Sequence, residues 1–157
     1  MRRISTMLAM VLVVALAACS NLSFEDGQAT FDVNLDEDAI NSVIGTVDER
    51  TQAPLLDDVT SIDFIEPDVV RATGTKDGQP GSYDMTFTAA DNSIRVEVTA
   101  VDIEGMELTS DAVTDLNEEL TSSFEESADP EGDSGVSEVR VEDDQLVITV
   151  TAALDGS

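Results

Sequence analysis

Between Gln28 and Leu35 apolar and polar residues alternate, with Ala29, Phe31, Val33 and Leu35 on one side. A period of two predicts a strand with one face on a core. The period then changes. Ala39, Ile40, Val43, Ile44 and Val47 fall three and four apart, the spacing of one apolar helix face, and Asp36 or Asp38 can cap its first turn. This helix is expected to end near Thr51 to Pro54. Beyond it, Val59–Ile65 and Val69–Thr75 flank Glu66-Pro67-Asp68, where a proline preset for a turn predicts a hairpin. A second turn is expected over Lys76–Gly81. Tyr83, Met85, Phe87 and Ala89 then alternate with Asp84, Thr86 and Thr88, and after a turn at Asp91-Asn92 the chain continues with Ile94, Val96, Val98 and Ala100. Such strands have one buried and one wet face. Around Val101 and Ile103 the apolar register slips by one residue, which predicts a bulge or a bend.

A second amphipathic helix is predicted from a cap at Thr109 or Ser110. Ala112, Val113, Leu116, Leu120 and Phe124 lie along one face, with Asp111, Asp115, Glu118 and Glu119 outside. Ser127–Gly135 reads as a loop. Val139 and Val141, a turn at Asp143-Asp144, and Leu146, Ile148, Val150 and Ala152 close the chain as another strand pair. Val59–Thr75 can be laid over Val136–Ala152 without a gap, and each of these hairpins follows a helix, so the order helix, loop, hairpin occurs twice. Two amphipathic helices and about seven strands predict an α+β domain, an antiparallel sheet with helices on one face.

The first residues belong to a different category. Met1-Arg2-Arg3 is a positive start, Met7–Ala15 is almost wholly apolar, and Leu16-Ala17-Ala18-Cys19 follows directly. That is the layout of an export signal, and the apolar run is short of the ~20 residues a spanning helix needs. The ending resembles the bacterial lipobox, which implies that residues 1–18 are a lipoprotein signal peptide and that Cys19 becomes a lipidated N-terminus. Residues 19–27 then read as anchor and tether, and residues 28–157 as a single α+β domain. The expected location is extracytoplasmic, in the cell envelope, held to the membrane through the lipid on Cys19. Ser20 after the cysteine leaves the choice of inner or outer membrane open. Cys19 is the only cysteine, so the chain cannot form an internal disulfide.

Charge narrows the partners. The chain carries a formal −27, and all 34 acidic residues lie beyond the signal against Arg50, Arg71, Lys76, Arg95 and Arg140. Such a surface repels phosphates and anionic head groups, so nucleic acid is excluded as a partner and direct binding to an acidic bilayer is disfavoured. Screening by salt would relieve the self-repulsion, so the composition suits a salty medium.

Reactive chemistry is sparse. No histidine is present, which removes a Ser-His-Asp arrangement and any histidine metal site. No serine or threonine has a base to activate it, and Gly78 and Gly81 beside Pro80 read as a bend, not a phosphate loop. Asp129, Glu131 and Asp133 alternate like the opening ligands of a calcium loop, but Ser134 holds the glycine position and Arg140 the twelfth. That motif fails, which leaves at most weak cation binding among loop carboxylates. Asn21-Leu22-Ser23 matches a glycan acceptor pattern that carries little weight beside a lipid anchor. The sequence therefore predicts no enzyme, no cofactor and no metal.

The strand, helix, strand order, the phrase Val98–Leu108 leading into a helix, and the closing Val136–Thr151 resemble the lipomannan-elongation-regulator-like family of exported proteins. The resemblance spans about Ala29 to Ala153. It implies half of a tubular lipid-binding fold, with a curved antiparallel sheet packed on amphipathic helices and a lipid or other apolar ligand between them. On that expectation Ile40, Val43, Ile44, Val47, Tyr83, Met85, Phe87, Leu116, Leu120 and Phe124 are candidates to line the groove. The alternative is that the same residues fill a core, making the domain a structural or interaction module of the envelope with an acidic surface and no pocket.

Overall fold

Every segment with strand periodicity pairs as a strand, and both segments with helical periodicity coil, but the strands divide between two sheets. The computed structural model describes residues 19–25, 27–50, 54–65, 67–128, 134–142 and 144–153. The elements are β1 (Cys19–Glu25), β2 (Gln28–Leu35), α1 (Glu37–Arg50), β3 (Asp58–Ile65), β4 (Val69–Lys76), β5 (Gln79–Ala90), β6 (Ser93–Asp102), α2 (Asp111–Ala128), β7 (Ser134–Glu142) and β8 (Gln145–Ala153). All pairings are antiparallel. One sheet has the order β1-β2-β8-β7, the other β3-β4-β5-β6. Where about seven strands in one curved sheet were expected, the described residues form eight in two sheets of four.

Two causes produce the difference. The segment expected to be a tether is strand β1: Ser23, Phe24 and Glu25 lie opposite Thr30, Ala29 and Gln28, and a bulge between Ser20 and Ser23 carries the pairing back to Cys19 opposite Val33. Asn21, with φ 55°, sits in that bulge. Its polar composition hid a strand whose partner, β2, is half buried. The second cause is long-range: β2 pairs along its full length with β8, from Gln28 opposite Ala153 to Leu35 opposite Leu146, so the chain ends close one sheet and β3 to β6 form another.

Local chemistry explains the turns. β4 and β5 are joined by Asp77-Gly78 and β5 and β6 by Asp91-Asn92, all at positive φ (51°, 77°, 54° and 61°), as two-residue hairpin turns require. The β4–β5 turn is shorter than the sequence suggested. Gln79, Pro80 and Gly81 are already in β5, and Pro80 lies beyond the last β6 partner, Asp102 opposite Ser82, where a missing N–H breaks no ladder bond to β6. The predicted register slip lies between the pairs Asp84–Ala100 and Met85–Val98. It turns Ala100 out to solvent, against expectation, and returns Ile103 to the core.

The two hairpins share one irregularity, although their pairing registers differ by one residue. β3 on β4 shifts register between Val59 and Ser61, and β7 on β8 shifts between Val136 and Glu138, the equivalent position. In both, the hydroxyl residue at the shift donates to the opposite strand, Thr60 to the Thr73 carbonyl (3.1 Å) and Ser137 to the Thr149 carbonyl (3.2 Å). The sheets meet where turns of one touch the edge of the other: Val136 N–H donates to Asn92 O and Val141 N–H to Pro67 O, each at 2.8 Å. Gly135 permits the approach, since a Cβ there would lie 2.7 Å from that of Asn92.

Candidate functional site

The ten candidate residues come from three elements that the sequence folds for clear local reasons. Asp36 caps α1, its carboxylate accepting from Ala39 N–H at 3.0 Å, and Glu37 and Asp38 place negative charge on the first turn. That orientation turns Ile40, Ile44 and Val47 inward. α2 starts from Ser110, whose carbonyl accepts from Val113 N–H and Thr114 N–H, and presents Leu116, Leu120 and Phe124. Tyr83, Met85 and Phe87 project from the inner face of β5, while Asp84 and Thr86 between them are half-buried.

The structure brings these residues together. Nine of the ten are buried in one continuous apolar cluster, and Val43 packs against it half-buried. Phe87 and Phe124 meet edge to face, with ring centroids 5.0 Å apart at 80°. The cluster also holds residues the periodicity did not mark. Leu55 and Leu56, in the loop after α1, are as buried as any strand residue. Their signal was a pair of leucines after Pro54, too short to have a period. Lys76 fixes this loop by donating to the Pro54 carbonyl (3.0 Å) and to Asp57 Oδ1 (2.7 Å), and Asp77 N–H donates to Asp57 Oδ2.

The helices are held differently. α2 lies along β6 and bonds to its backbone: Asn117 Oδ1 accepts from Val98 N–H at 2.8 Å, and the Thr121 hydroxyl both accepts from Val96 N–H and donates to Val96 O, each at 3.1 Å. α1 is tied by Glu37 Oε1 accepting from Ile62 N–H at 3.4 Å, and packs Ile40, Ile44 and Val47 into the apolar cluster.

Charged groups sit outside this interior. Asp32 is buried on the polar side of β2, where Asn21 Nδ2 (3.0 Å), Thr149 Oγ1 (2.7 Å) and Arg140 Nη2 (3.3 Å) donate to it. Burial raises its pKa, but the hydrogen bonds from Asn21 and Thr149 and the Arg140 charge outweigh that and hold the carboxyl below its usual range. The Asn21 amide of the glycan-like triplet is thus engaged. Arg140 also binds Glu142 at 2.8 Å, and Arg71 grips Asp84 across β4 and β5 at 2.6 and 2.9 Å. Arg71, Lys76 and Arg140 are therefore committed to carboxylates. An open hollow of about 530 Å³ lined by Met106, Glu107, Thr109 and Ser110 lies before α2, apart from the ten candidates. No group of three or more acidic or cysteine side chains is placed to hold a metal among the described residues. Asp129, Glu131 and Asp133 fall outside them. No described helix is long and apolar enough to cross a membrane.

Asp48, on α1, departs from ordinary carboxylate behaviour in the upward direction. Burial pushes its carboxyl up to about 6, against a weaker downward pull from Lys76, and its charge adds to the burial that raises the Tyr83 phenol. An unfolded Asp titrates near ~4. Between these values the folded chain holds more protons than the unfolded one, so stability falls as pH rises through that window and stays lower above it. Asp48→Asn is expected to add about 1 kcal/mol at pH 8, after allowance for solvent screening, and to change little at pH 4. Urea titrations of both proteins at the two pH values check this.

These features define a class, a small α+β domain whose candidate residues gather into an apolar interior, with no constellation of reactive groups among the described residues. The chain belongs to the LmeA-like phospholipid-binding family, whose model matches residues 23–151. This is the lipomannan-elongation-regulator-like family that the sequence resembles. No curated protein and no solved structure matches the chain.

Proposed function

We propose that this protein is a non-catalytic extracytoplasmic lipoprotein, anchored through acylated Cys19 after loss of residues 1–18, that takes the acyl part of a phospholipid between its sheets and helices. The family assignment over residues 23–151 supports the phospholipid, and the lipobox-like ending at Cys19 supports the anchor. The finer fold expectation, half of a tubular lipid-binding module with a curved sheet, belongs to the same proposal. Recognition would run through the apolar chain, because a surface on which carboxylates so far outnumber cations suits an anionic head group poorly.

The candidate residues already touch one another, so an acyl chain needs room made for it. α1 is the element to yield. Withdrawing Ile40, Ile44 and Val47 costs apolar contacts and the polar contacts of α1, the long Glu37–Ile62 hydrogen bond among them, whereas moving α2 would strip the Asn117 and Thr121 side chains from the backbone of β6. A second reading draws on the same packing: nine buried candidates are what a filled core requires, and the domain then presents its surface to an envelope partner.

Native mass spectrometry of the domain from Ser20 onward, recovered from membranes without detergent exchange, distinguishes them. Co-purified phospholipid is the expected result. A clean ligand-free mass, under conditions in which a known carrier keeps its lipid, would favour the interaction module. Intact mass of the membrane form tests the anchor, which requires residues 1–18 to be absent and acyl mass to be present on Cys19.

A further inference from the structure

We infer that strand β1 lies on the bilayer surface, with Leu22 and Phe24 seated at the boundary of head groups and acyl chains beside the anchor, so that the domain is held against the membrane instead of hanging from a tether. The inference builds on the proposed acylation of Cys19. Its own evidence is separate. Leu22 and Phe24 are 61% and 64% exposed, the two most exposed large apolar residues described, and both lie on one short strand. The strand ends its sheet, so its outer side faces no further strand.

Position and charge choose the occupant. Cys19 is the first residue of β1, opposite Val33, and the segment before it ends at the proposed cleavage point, so no flexible spacer separates anchor from domain. At roughly 3.3 Å per residue, Leu22 and Phe24 lie within about 10 and 17 Å of Cys19 along the strand. Acyl chains on Cys19 would bring both side chains to the interface. Residues 19–24 (Cys-Ser-Asn-Leu-Ser-Phe) carry no charge in a chain of formal charge −27, so the one stretch next to the anchor is also one that an interface does not repel. Phe24 lies opposite buried Ala29 and therefore on the side of the strand pair where Phe31 and Val33 pack in part against the core, but at the sheet edge it stays exposed. Depth is limited by the backbone. An edge strand has unpaired N–H and C=O groups that need water or head-group partners, so β1 sits at head-group level and only its side chains go deeper.

The chain has no tryptophan, so Phe24→Trp supplies a single reporter at an exposed position, and Leu22→Trp an independent one. Leu108→Trp is the control, 45% exposed, beyond the end of β6 opposite the Asp91-Asn92 turn that meets the other sheet. The acylated full-length products are placed in phosphatidylcholine vesicles with or without brominated acyl chains. Indole emission from the Phe24→Trp and Leu22→Trp variants is expected to shift to the blue and to be quenched roughly twofold or more by bromine, with the control unaffected. If acyl mass is present but both reporters emit as in water and escape quenching, the inference falls while anchoring stands. A doubled native mass with a blue shift that needs no vesicles would assign the strand to a second copy of the chain and overturn it. Equal quenching of the control overturns it too, and absence of acyl mass removes both anchor and inference.

Discussion

Phe124→Ala is expected to lower the unfolding free energy by about 3–5 kcal/mol, the range for emptying a buried aromatic site. Phe124 is 1% exposed, deep in the cluster with Leu116, Leu120 and Phe87, and its edge-to-face contact with Phe87 is lost as well, typically worth about 0.5–1.5 kcal/mol beyond area. A domain of this size has a total stability of about 5–15 kcal/mol, so the variant should unfold at a temperature lower by on the order of 10 °C or more. Urea and thermal titrations measure both. The result bears on function, because a loss under about 1 kcal/mol would mean that the interior near α2 is loosely filled and already has room for a ligand.

The second large effect concerns the edge of β6. Asn117 and Thr121 lie one helical turn apart, and Val96 and Val98 lie two residues apart on the strand, so the two side chains stand in for the backbone of a missing neighbour strand. Asn117→Ala with Thr121→Ala leaves two N–H groups and a carbonyl of β6 without these partners. The expected cost is about 2–4 kcal/mol, with a gain in self-association as the edge becomes available for pairing. Urea titration with light scattering reads both, and amide exchange at Val96 and Val98 should accelerate. Asn117→Asp with Thr121→Ser keeps the acceptors and the hydroxyl and should not aggregate. A double alanine variant that remains monomeric with unchanged stability would show that α2 holds β6 through apolar contact alone.

Most strands and both helices were legible because their side chains see a core on one side only. Met85 and Phe87 point in while Asp84 and Thr86 point away, and Ile40, Ile44 and Val47 sit on one stripe of α1. β1 was not legible, because its one alternation, Leu22 and Phe24 between Asn21 and Ser23, is too short to mark a strand and the strand forms through its pairing with β2. Leu55 and Leu56 were missed for a related reason: a loop has no period, and their burial depends on Lys76 and Asp57 pinning the segment across the β4–β5 turn. The candidate residues were legible as an apolar set. Whether they face a ligand or each other was not, because core and groove select the same side chains.

By itself the sequence determined what each short stretch can be, since hydrophobic period, caps and turn residues act over a few neighbours. It also holds the excess of carboxylates and the Leu16-Ala17-Ala18-Cys19 ending that resembles a lipobox, neither of which needs a fold to be read. The tertiary structure alone decided that β2 closes on β8 and divides the strands into two sheets, that α2 and not a strand covers β6, and that Leu22 and Phe24 stay outside. The closure of β2 on β8 depends on contacts between residues more than a hundred positions apart, such as Asp32 with Thr149 and Arg140, and even the nearer pairing of α2 with β6 is a choice of partner that no local pattern encodes.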